Sequence, residues 1–166
     1  DFDPTEGLNL HDPKEGQILE LSKARRQFMR SLSELIKSNT GAGLVIDYGH
    51  LRHGYGNTFQ ALKSHNYTDP LLHTGDADLT AHVDFKILKE EAEICVLEVF
   101  GKVTQGEFLK GLGVQIHASR LIEKADKKQA QDIQSALHRL THSDGMGSLF
   151  KVLGVGYGTS VKAAGF

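Results

Sequence analysis

Hydrophobic residues recur every three or four positions near the start of the chain, which predicts an amphipathic helix of about four turns. Its apolar face consists of Ala24, Phe28, Leu32 and Leu35. Ser22 has a suitable side chain for the N-cap, and the segment 39–43, with its asparagine and glycines, ends the helix. Residues 43–47, Gly-Leu-Val-Ile-Asp, then form a short apolar run that is typical of a buried parallel strand.

The succession of helix and strand recurs further along the chain. A helix with Asp84 as its N-cap precedes a strand at 96–103, and a short helix is predicted at 107–112. Another helix over 126–141 precedes a last strand at 149–155. The apolar faces of the two longer helices consist of Phe85, Leu88, Ala92 and Cys95 in the first, and of Ala130, Ile133, Leu137 and Leu140 in the second.

Helices that alternate with strands predict an α/β fold with one open, mostly parallel sheet and flanking helices. Segments 44–46, 97–99 and 151–153 are expected in that sheet, covered by the three amphipathic helices. A strand that is reached through a hairpin could instead run antiparallel.

Both ends of the chain differ from its middle. Residues 1–15 contain breakers and acids without a periodic apolar face, so we expect a connecting loop there. Residues 156–166 are rich in glycine and alanine, and a frayed tail is predicted. The folded domain is therefore expected over 16–155.

Composition narrows the classes of function. Lys and Arg total 19 against 21 Asp and Glu, a formal charge of -2 over 166 residues, so no overall field attracts nucleic acid. The single cysteine, Cys95, cannot form an internal disulfide, which suits a reducing, intracellular compartment. No apolar run reaches the ~20 residues that cross a bilayer, so we expect no membrane insertion.

The first candidate site follows the strand at 43–47. Asp47 ends that strand, where the ligand-binding loops of α/β sheets converge, and its carboxylate could hold a hydroxyl, accept a proton or orient a cation. A glycine-punctuated loop with ionisable and aromatic side chains comes next: His50, Arg52, His53 and Tyr55. Capping of backbone N–H groups and simple turn formation are the alternative interpretations.

A second candidate cluster lies at 75–85, and its ionisable residues are Asp76, Asp78, His82 and Asp84. Carboxylates beside an imidazole could perform acid-base chemistry or bind a divalent metal, although the spacing matches no metal motif. Helix capping by Asp84 is the alternative. Thr104 and Gln105 follow the strand at 96–103, and they could contact a ligand or simply begin the next helix.

Two histidines stand at i, i+4 spacing on one predicted helix. His138 and His142 lie opposite its apolar face, close to Asp144 in sequence. Since no third ligand has a recognisable spacing and the glutamate of a zinc-protease helix is absent, the pattern predicts no metal site.

Six segments together carry a resemblance to one protein family. They are EGQILELSKARRQFMRSL, GLVIDYGH, NTFQALKSH, DADLTAHVDF, KVTQGEFLKGLGV and MGSLFKVLGV. The chain resembles S-adenosylmethionine-dependent methyltransferases of bacteria and mitochondria, a family that includes an arginine methyltransferase of complex I assembly. The resemblance covers residues 15–155, and the ordered occurrence of IDYGH, DLTAHVDF and TQGEFL is its most specific part.

The resemblance implies a class I, Rossmann-like methyltransferase fold, here only its C-terminal part, with S-adenosylmethionine as the cofactor. It also implies a protein substrate, an arginine on a complex I subunit in the mitochondrial member. The family's cofactor motifs come before the matched segments, so we expect the cofactor to be held mainly by an upstream half. The apolar strand at 43–47 would then expose an edge that pairs with that half or forms a homo-oligomer.

An arginine substrate calls for acids that hold it and a base that takes its proton. Four residues are therefore candidate catalytic groups: Asp47, His50, His82 and Asp84. Four more are candidates for substrate binding: Tyr48, Asp78, Thr104 and Gln105. We expect the catalytic candidates to converge on one crevice, and exchange of Asp47 for Asn to reduce methyl transfer more than ~10-fold.

Two other classes of function stay open at this point. A non-enzymatic assembly or scaffold protein with a degenerate methyltransferase fold would account for the lack of cofactor motifs. A metal-dependent hydrolase would account for the loops rich in histidine and aspartate. The resemblance implies the bacterial cytoplasm or the mitochondrial matrix as the compartment.

Overall fold

The computed structural model describes residues 12–158 and 163–166. The helices are α1 (Lys23–Asn39), α2 (Phe85–Ile94), α3 (Gln105–Gly111), α4 (Val114–Ile122), α5 (Lys127–Thr141) and α6 (Met146–Leu149). The strands are β1 (Ala42–His50), β2 (Gln60–Lys63), β3 (Asn66–Thr68), β4 (Asp78–Thr80), β5 (Val83–Asp84), β6 (Glu98–Thr104) and β7 (Phe150–Gly156). Most of the predicted loop at 1–15 lies outside the described residues.

The main sheet has four strands in the order β5-β1-β7-β6, so the expectation that the three predicted strands share one sheet is confirmed. The sheet is mixed: β1, β5 and β6 run in one direction, as the mostly parallel prediction expected, and β7 runs in the other. β7 is antiparallel to both of its neighbours, and β1 and β5 form the parallel pair. The antiparallel pairs arise because β7 is inserted between β1 and β6, which themselves run in the same direction.

The predicted helix starts are confirmed. Ser22 accepts a hydrogen bond from the backbone N–H of Arg25 at 3.3 Å. Asp84 caps α2, and Asp126 caps α5 in a capping box with Gln129. These side chains accept hydrogen bonds from backbone N–H groups that have no partner within their helix, which is why the helices begin there.

The apolar face predicted for α1 was wrong except at Leu32, which packs against the core. Phe28 and Leu35 are 54% and 62% exposed, whereas Met29 and Ile36 are buried against the sheet. Both sets of residues satisfy helical spacing. In the folded protein the face that contacts the sheet is the one displaced by one residue along the chain, with Met29 and Ile36 in place of Phe28 and Leu35. The helix therefore keeps a second apolar stripe on its outer side.

The longest C-terminal helix, α5, does not cover the sheet as expected. It packs against α3, α4 and α6, and none of its residues is fully buried. The core instead lies between the sheet and the first two helices, where the innermost side chains are Met29, Phe85, Leu88, Leu153 and Val155.

The pattern analysis missed α4 and α6, and it also missed a second sheet and the order of the last residues. A second sheet, in the order β3-β2-β4, is built from strands of three or four residues that are too short for a readable alternation. Residues 163–166 do not fray: the ring of Phe166 lies 5.0 Å from that of Phe108 and covers Gly101 and Gly154. The other predicted tail residues are 156–158, of which Gly156 ends β7, and 159–162, which lie outside the described residues.

α1 and α2 are joined by a buried acid. Glu91 is fully buried and accepts hydrogen bonds from Arg26 at 2.5 Å and from Arg30 at 2.9 Å. Burial raises the pKa of Glu91, but the hydrogen bonds and charges of the two arginines together outweigh it, so the pKa lies below its ordinary 4.5.

Glu91→Gln is expected to lower the free energy of unfolding by about 2 kcal/mol, because Arg26 loses a charged partner where water is scarce. Since folding lowers the pKa, the carboxylate stabilises above about pH 4.5, and this contribution is lost as the pH falls through the lower folded value. Urea unfolding on both sides of that pH should show a weaker acid dependence in the variant. The exposed Glu93→Gln, which loses only a surface pair with Lys89, should change little, and equal losses in both would contradict this role.

Gly49→Ala is expected to destabilise the fold by about 2 kcal/mol, because a Cβ at this position would lie 2.3 Å from the carbonyl oxygen of Val83 and 2.7 Å from the ring of Phe85. Gly54→Ala is the matched control, since a Cβ there meets no atom within 4 Å. Thermal unfolding compares the two. A stable Gly49→Ala variant would show that β1 and β5 can move apart without cost.

Candidate functional site

A cavity of about 270 Å³ lies at the C-terminal end of β1. Four stretches of chain form its wall: the segment before α1, the loop after β1, β5 with the residue before it, and the start of α2. The polar and ionisable residues of the lining are Glu20, His50, Arg52, His53, Tyr55, Thr58, His82 and Asp84. The loops at this strand end converge as the α/β pattern predicted.

The parallel pairing of β1 with β5 brings two candidate residues together. His50 is the register partner of Asp84, and Nδ1 of His50 lies 4.0 Å from Oδ1 of Asp84. Gly49 pairs with Val83 in the same ladder, where only a residue without Cβ allows this approach. Local backbone geometry thus sets the spacing of these two groups.

The carboxylate of Asp84 receives three contacts from the protein. Oδ1 accepts the N–H groups of Lys86 and Ile87 at 2.9 and 3.1 Å, and Oδ2 lies 2.7 Å from Nδ1 of His53. The other ring nitrogen of His53 lies 3.1 Å from Oε2 of Glu90. This almost fully buried imidazole therefore fixes the loop after β1 to the first turns of α2.

Glu20 fixes the same loop from the other side. Its carboxylate accepts the N–H groups of Thr58 and Phe59 at 2.8 and 2.9 Å and the hydroxyl of Thr58. Burial raises the pKa of Glu20, but these hydrogen bonds and the nearby Arg25 hold it below its usual range. The hydroxyl oxygen of Thr58 also accepts the backbone N–H of His82 at 2.9 Å, so three segments share one network.

The two remaining imidazoles are in a position to accept a proton. Nδ1 of His50 lies 2.6 Å from the carbonyl oxygen of Arg52, and because a carbonyl only accepts, Nδ1 carries the proton and Nε2 is the basic nitrogen. Burial lowers the pKa of His82, and so do the charge of Lys151 and, when it is protonated, that of His50, so the ring of His82 is neutral at neutral pH.

Asp47 lies apart from the other three catalytic candidates. Its carboxylate accepts the N–H of Tyr48 at 2.8 Å, and it lines a separate groove with Phe28 and Val45. His50, His82 and Asp84 do share one cavity. The expected convergence therefore holds for three of the four residues.

The four residues predicted to bind substrate are spread over the molecule. Tyr48 stacks on Phe150 at 4.2 Å, and Asp78 lies exposed in the small sheet. Thr104 caps α3 in a capping box, and the side-chain amide of buried Gln105 donates to the carbonyl of Leu140 at 2.9 Å. None of these four residues lines the cavity. The contacts of Thr104 and Gln105 agree with the alternative interpretation, in which the two residues begin the next helix.

Sequence reasoning missed Glu20 and Thr58 as parts of this site. Glu20 stands in a stretch without periodicity, and Thr58 follows a glycine-rich loop, so neither carried a local signal. Their contact joins positions 38 residues apart, which only the folded chain reveals.

The histidine pair on α5 does come together with an acid. The rings of His138 and His142 are stacked at 4.3 Å, and Nδ1 of His142 lies 2.6 Å from Oδ1 of Asp144. All three side chains are exposed, as the helical pattern predicted. The hydrogen bond to His142 and the positive charge of the pair lower the pKa of Asp144.

The cavity does not fit S-adenosylmethionine. The two hydroxyls of such a cofactor's sugar need two acceptor sites on one carboxylate, and Glu20 and Asp84 each receive three protein donors, which leaves about one site on each. Among the buried side-chain polar atoms described, only the hydroxyl of Thr80 has no partner, and it does not line this cavity. In the described part of the chain, no helix is both long and apolar enough for a membrane span.

Comparison with known proteins gives a consistent picture. Residues 4–103 match the model of a family described as "Putative S-adenosyl-L-methionine-dependent methyltransferase". The mitochondrial protein arginine methyltransferase NDUFAF7 of Xenopus tropicalis is 33% identical over 88% of this chain and 34% of its own length. Its Drosophila melanogaster homologue is 35% identical over 87% of this chain and 34% of its own length.

A solved structure agrees with these sequence matches. A Burkholderia thailandensis protein crystallised with S-adenosyl-homocysteine superposes with a TM-score of 0.78 and 26% identity, over 97% of this chain and 42% of its own. This chain thus spans about a third of the length of the curated relatives that it matches. By its sequence and by its fold, the chain belongs to the family of S-adenosyl-L-methionine-dependent methyltransferases.

Proposed function

We propose that this chain forms the substrate side of a methyltransferase that modifies an arginine of a protein, with S-adenosylmethionine as the methyl donor. The observation that carries the proposal is the pairing of two proton-accepting imidazoles, His50 and His82, in one cavity at the end of β1. The relatives named arginine methyltransferases support the choice of substrate class.

A guanidinium must lose a proton when one of its nitrogens is methylated, and a base in contact with that nitrogen assists the loss. An imidazole that is neutral near pH 7 suits this task. His82 acts as the base in this proposal because its pKa is lowered, and Nε2 of His50 receives or relays the proton.

The carboxylates of the site have a different task from the one expected at first. Asp84 and Glu20 hold the loop after β1, and Glu20 stays ionised at neutral pH because its pKa is lowered. Its charge at the cavity wall attracts a guanidinium without direct contact. The acids thus shape the cavity and set its potential, whereas the imidazoles handle the proton.

The relatives are named as mitochondrial proteins, which supports a mitochondrial setting for this chain, whereas the solved Burkholderia thailandensis structure supports a bacterial one. A subunit of respiratory complex I is the substrate that the family resemblance implies. The donor is held outside the described cavity, because the residues there do not fit it.

His82→Gln is expected to reduce kcat/KM for methyl transfer by at least ~10-fold, because the amide cannot accept the proton. Protonation inactivates a base, and the lowered pKa of His82 places the loss of activity below about pH 6.5. The assay uses a protein that joins this chain to the part of a relative that it does not span, with arginine peptides as substrate.

Asp47→Asn in the same protein is the matched control, since Asp47 lines another groove. It should retain most of the activity, in contrast to the loss expected from its position in the sequence. If the His82→Gln variant lost activity at low pH in the same way as the unchanged protein, His82 would not be the base of the reaction.

The isolated chain is expected to bind S-adenosylmethionine only weakly, because the carboxylates at its cavity already receive protein donors and the family's cofactor motifs come before the matched segments. Titration calorimetry provides the measurement. A micromolar dissociation constant, on the order of -8 kcal/mol, would show that the described residues do hold the cofactor. If activity stayed absent when the rest of the domain is joined, a scaffold role would replace the enzymatic one.

A further inference from the structure

The end of α5 brings three side chains that can bind a metal ion together on the surface. The rings of His138 and His142 are stacked at 4.3 Å, with an angle of 18° between their planes. Nδ1 of His142 lies 2.6 Å from Oδ1 of Asp144, and Nε2 of His138 lies 3.8 Å from the same oxygen. Each residue thus has one ligand atom within 4.8 Å of a ligand atom of the other two.

This group is distinct from the other clusters of ionisable side chains. Within residues 12–158 and 163–166, it is the only set of three histidine, cysteine or acidic residues whose ligand atoms come so close together. Asp144 lies beyond the end of α5, in the turn before α6. The i, i+4 spacing of the two histidines therefore gives no sign of the third ligand, and only the folded turn brings it to them.

The turn that carries Asp144 is held by its own backbone. The carbonyl oxygen of His142 accepts the N–H groups of Gly145 at 3.2 Å and of Gly147 at 3.0 Å. A Cβ at Gly147 would lie 2.4 Å from the carbonyl oxygen of Thr141, so the chain is closely packed here. The three ligands are therefore positioned before an ion arrives, which lowers the entropy that binding costs.

The charges at the end of α5 favour a cation. The last carbonyl groups of a helix carry a partial negative charge, and the carboxylate of Asp144 adds a full one. Zinc binds imidazole nitrogen and carboxylate oxygen in tetrahedral sites, where neighbouring ligands lie roughly 3.3 Å apart at bond lengths of ~2.0–2.1 Å. The observed separations of 2.6 and 3.8 Å lie on either side of that value.

We propose that His138, His142 and Asp144 bind a zinc ion, with water as the fourth ligand. Nδ1 of His142 becomes a ligand in the tautomer that carries its proton on Nε2, so the ion replaces the hydrogen bond to Asp144. The ion joins the end of α5 to the turn before α6 and stabilises the folded chain. None of the three residues lines the cavity at the end of β1, so this site is independent of methyl transfer.

The test is calorimetric titration of zinc chloride into the 166-residue chain, produced without a polyhistidine tag. One strong site per chain is expected. His138→Gln, His142→Gln and Asp144→Asn should each weaken binding at least ~10-fold, because each removes one of three protein ligands. All three side chains are exposed, so the variants should fold, and circular dichroism verifies this.

His117→Gln is the matched control, because His117 is an exposed histidine on α4 that belongs to no such group. It should leave the affinity for zinc unchanged. Zinc at ~100-fold excess over its dissociation constant should raise the melting temperature by about 5 °C in the unchanged chain and in this control, and by much less in the three ligand variants. Magnesium, which prefers oxygen ligands, should have no such effect.

Three results would overturn this assignment. The first is a lack of zinc binding by the folded chain. The second is an equal loss of affinity in His117→Gln and His138→Gln, since scattered surface histidines would then hold the ion. The third is an unchanged affinity in Asp144→Asn, which would show that the carboxylate is not a ligand.

Discussion

The close approach of β5 to β1 at Gly49 is the constraint on which the site depends. With no Cβ at this position, the carbonyl of Val83 and the ring of Phe85 can lie directly against the strand. That approach puts Asp84 level with His50 and aligns the first turn of α2 with the end of β1. A core contact and the spacing of the polar groups in the cavity thus have a common origin.

Two kinds of polar group serve the cavity in different ways. The carboxylates of Asp84 and Glu20 meet backbone N–H groups and side-chain donors of three segments, so they hold a loop that has no regular structure of its own. His50 and His82 lie on that scaffold with less committed nitrogens. The acids hold the loop in place, and the imidazoles exchange protons. In many functional sites the reacting groups are likewise oriented by hydrogen bonds from residues that do not react themselves.

The periodic parts of the fold were predictable from the sequence because each depends on neighbours along the chain. The caps Ser22 and Asp84 act on the helix that follows directly, and both were identified. The face of α1 was misjudged because Phe28 and Met29 both satisfy helical spacing, and only the position of the sheet decides between them.

The site was predictable only in part for a similar reason. His50, His82 and Asp84 were identified as candidates, and they do line the cavity. Asp47 comes only three residues before His50 in the chain, but it lines another groove. Side chains alternate between the faces of a strand, so residues close in sequence separate in space. The contact of Glu20 with Thr58 depends on the tertiary fold and has no counterpart in local pattern.

The position of β7 has a consequence for how the molecule is made. It pairs Ala42 with Gly156 and lies between β1 and β6, so the strand that joins these two is synthesised after both of them. During translation, β1 and β6 have no common partner, and contacts between such distant positions form slowly. β1 and β6 therefore stay without their shared partner until β7 has left the ribosome.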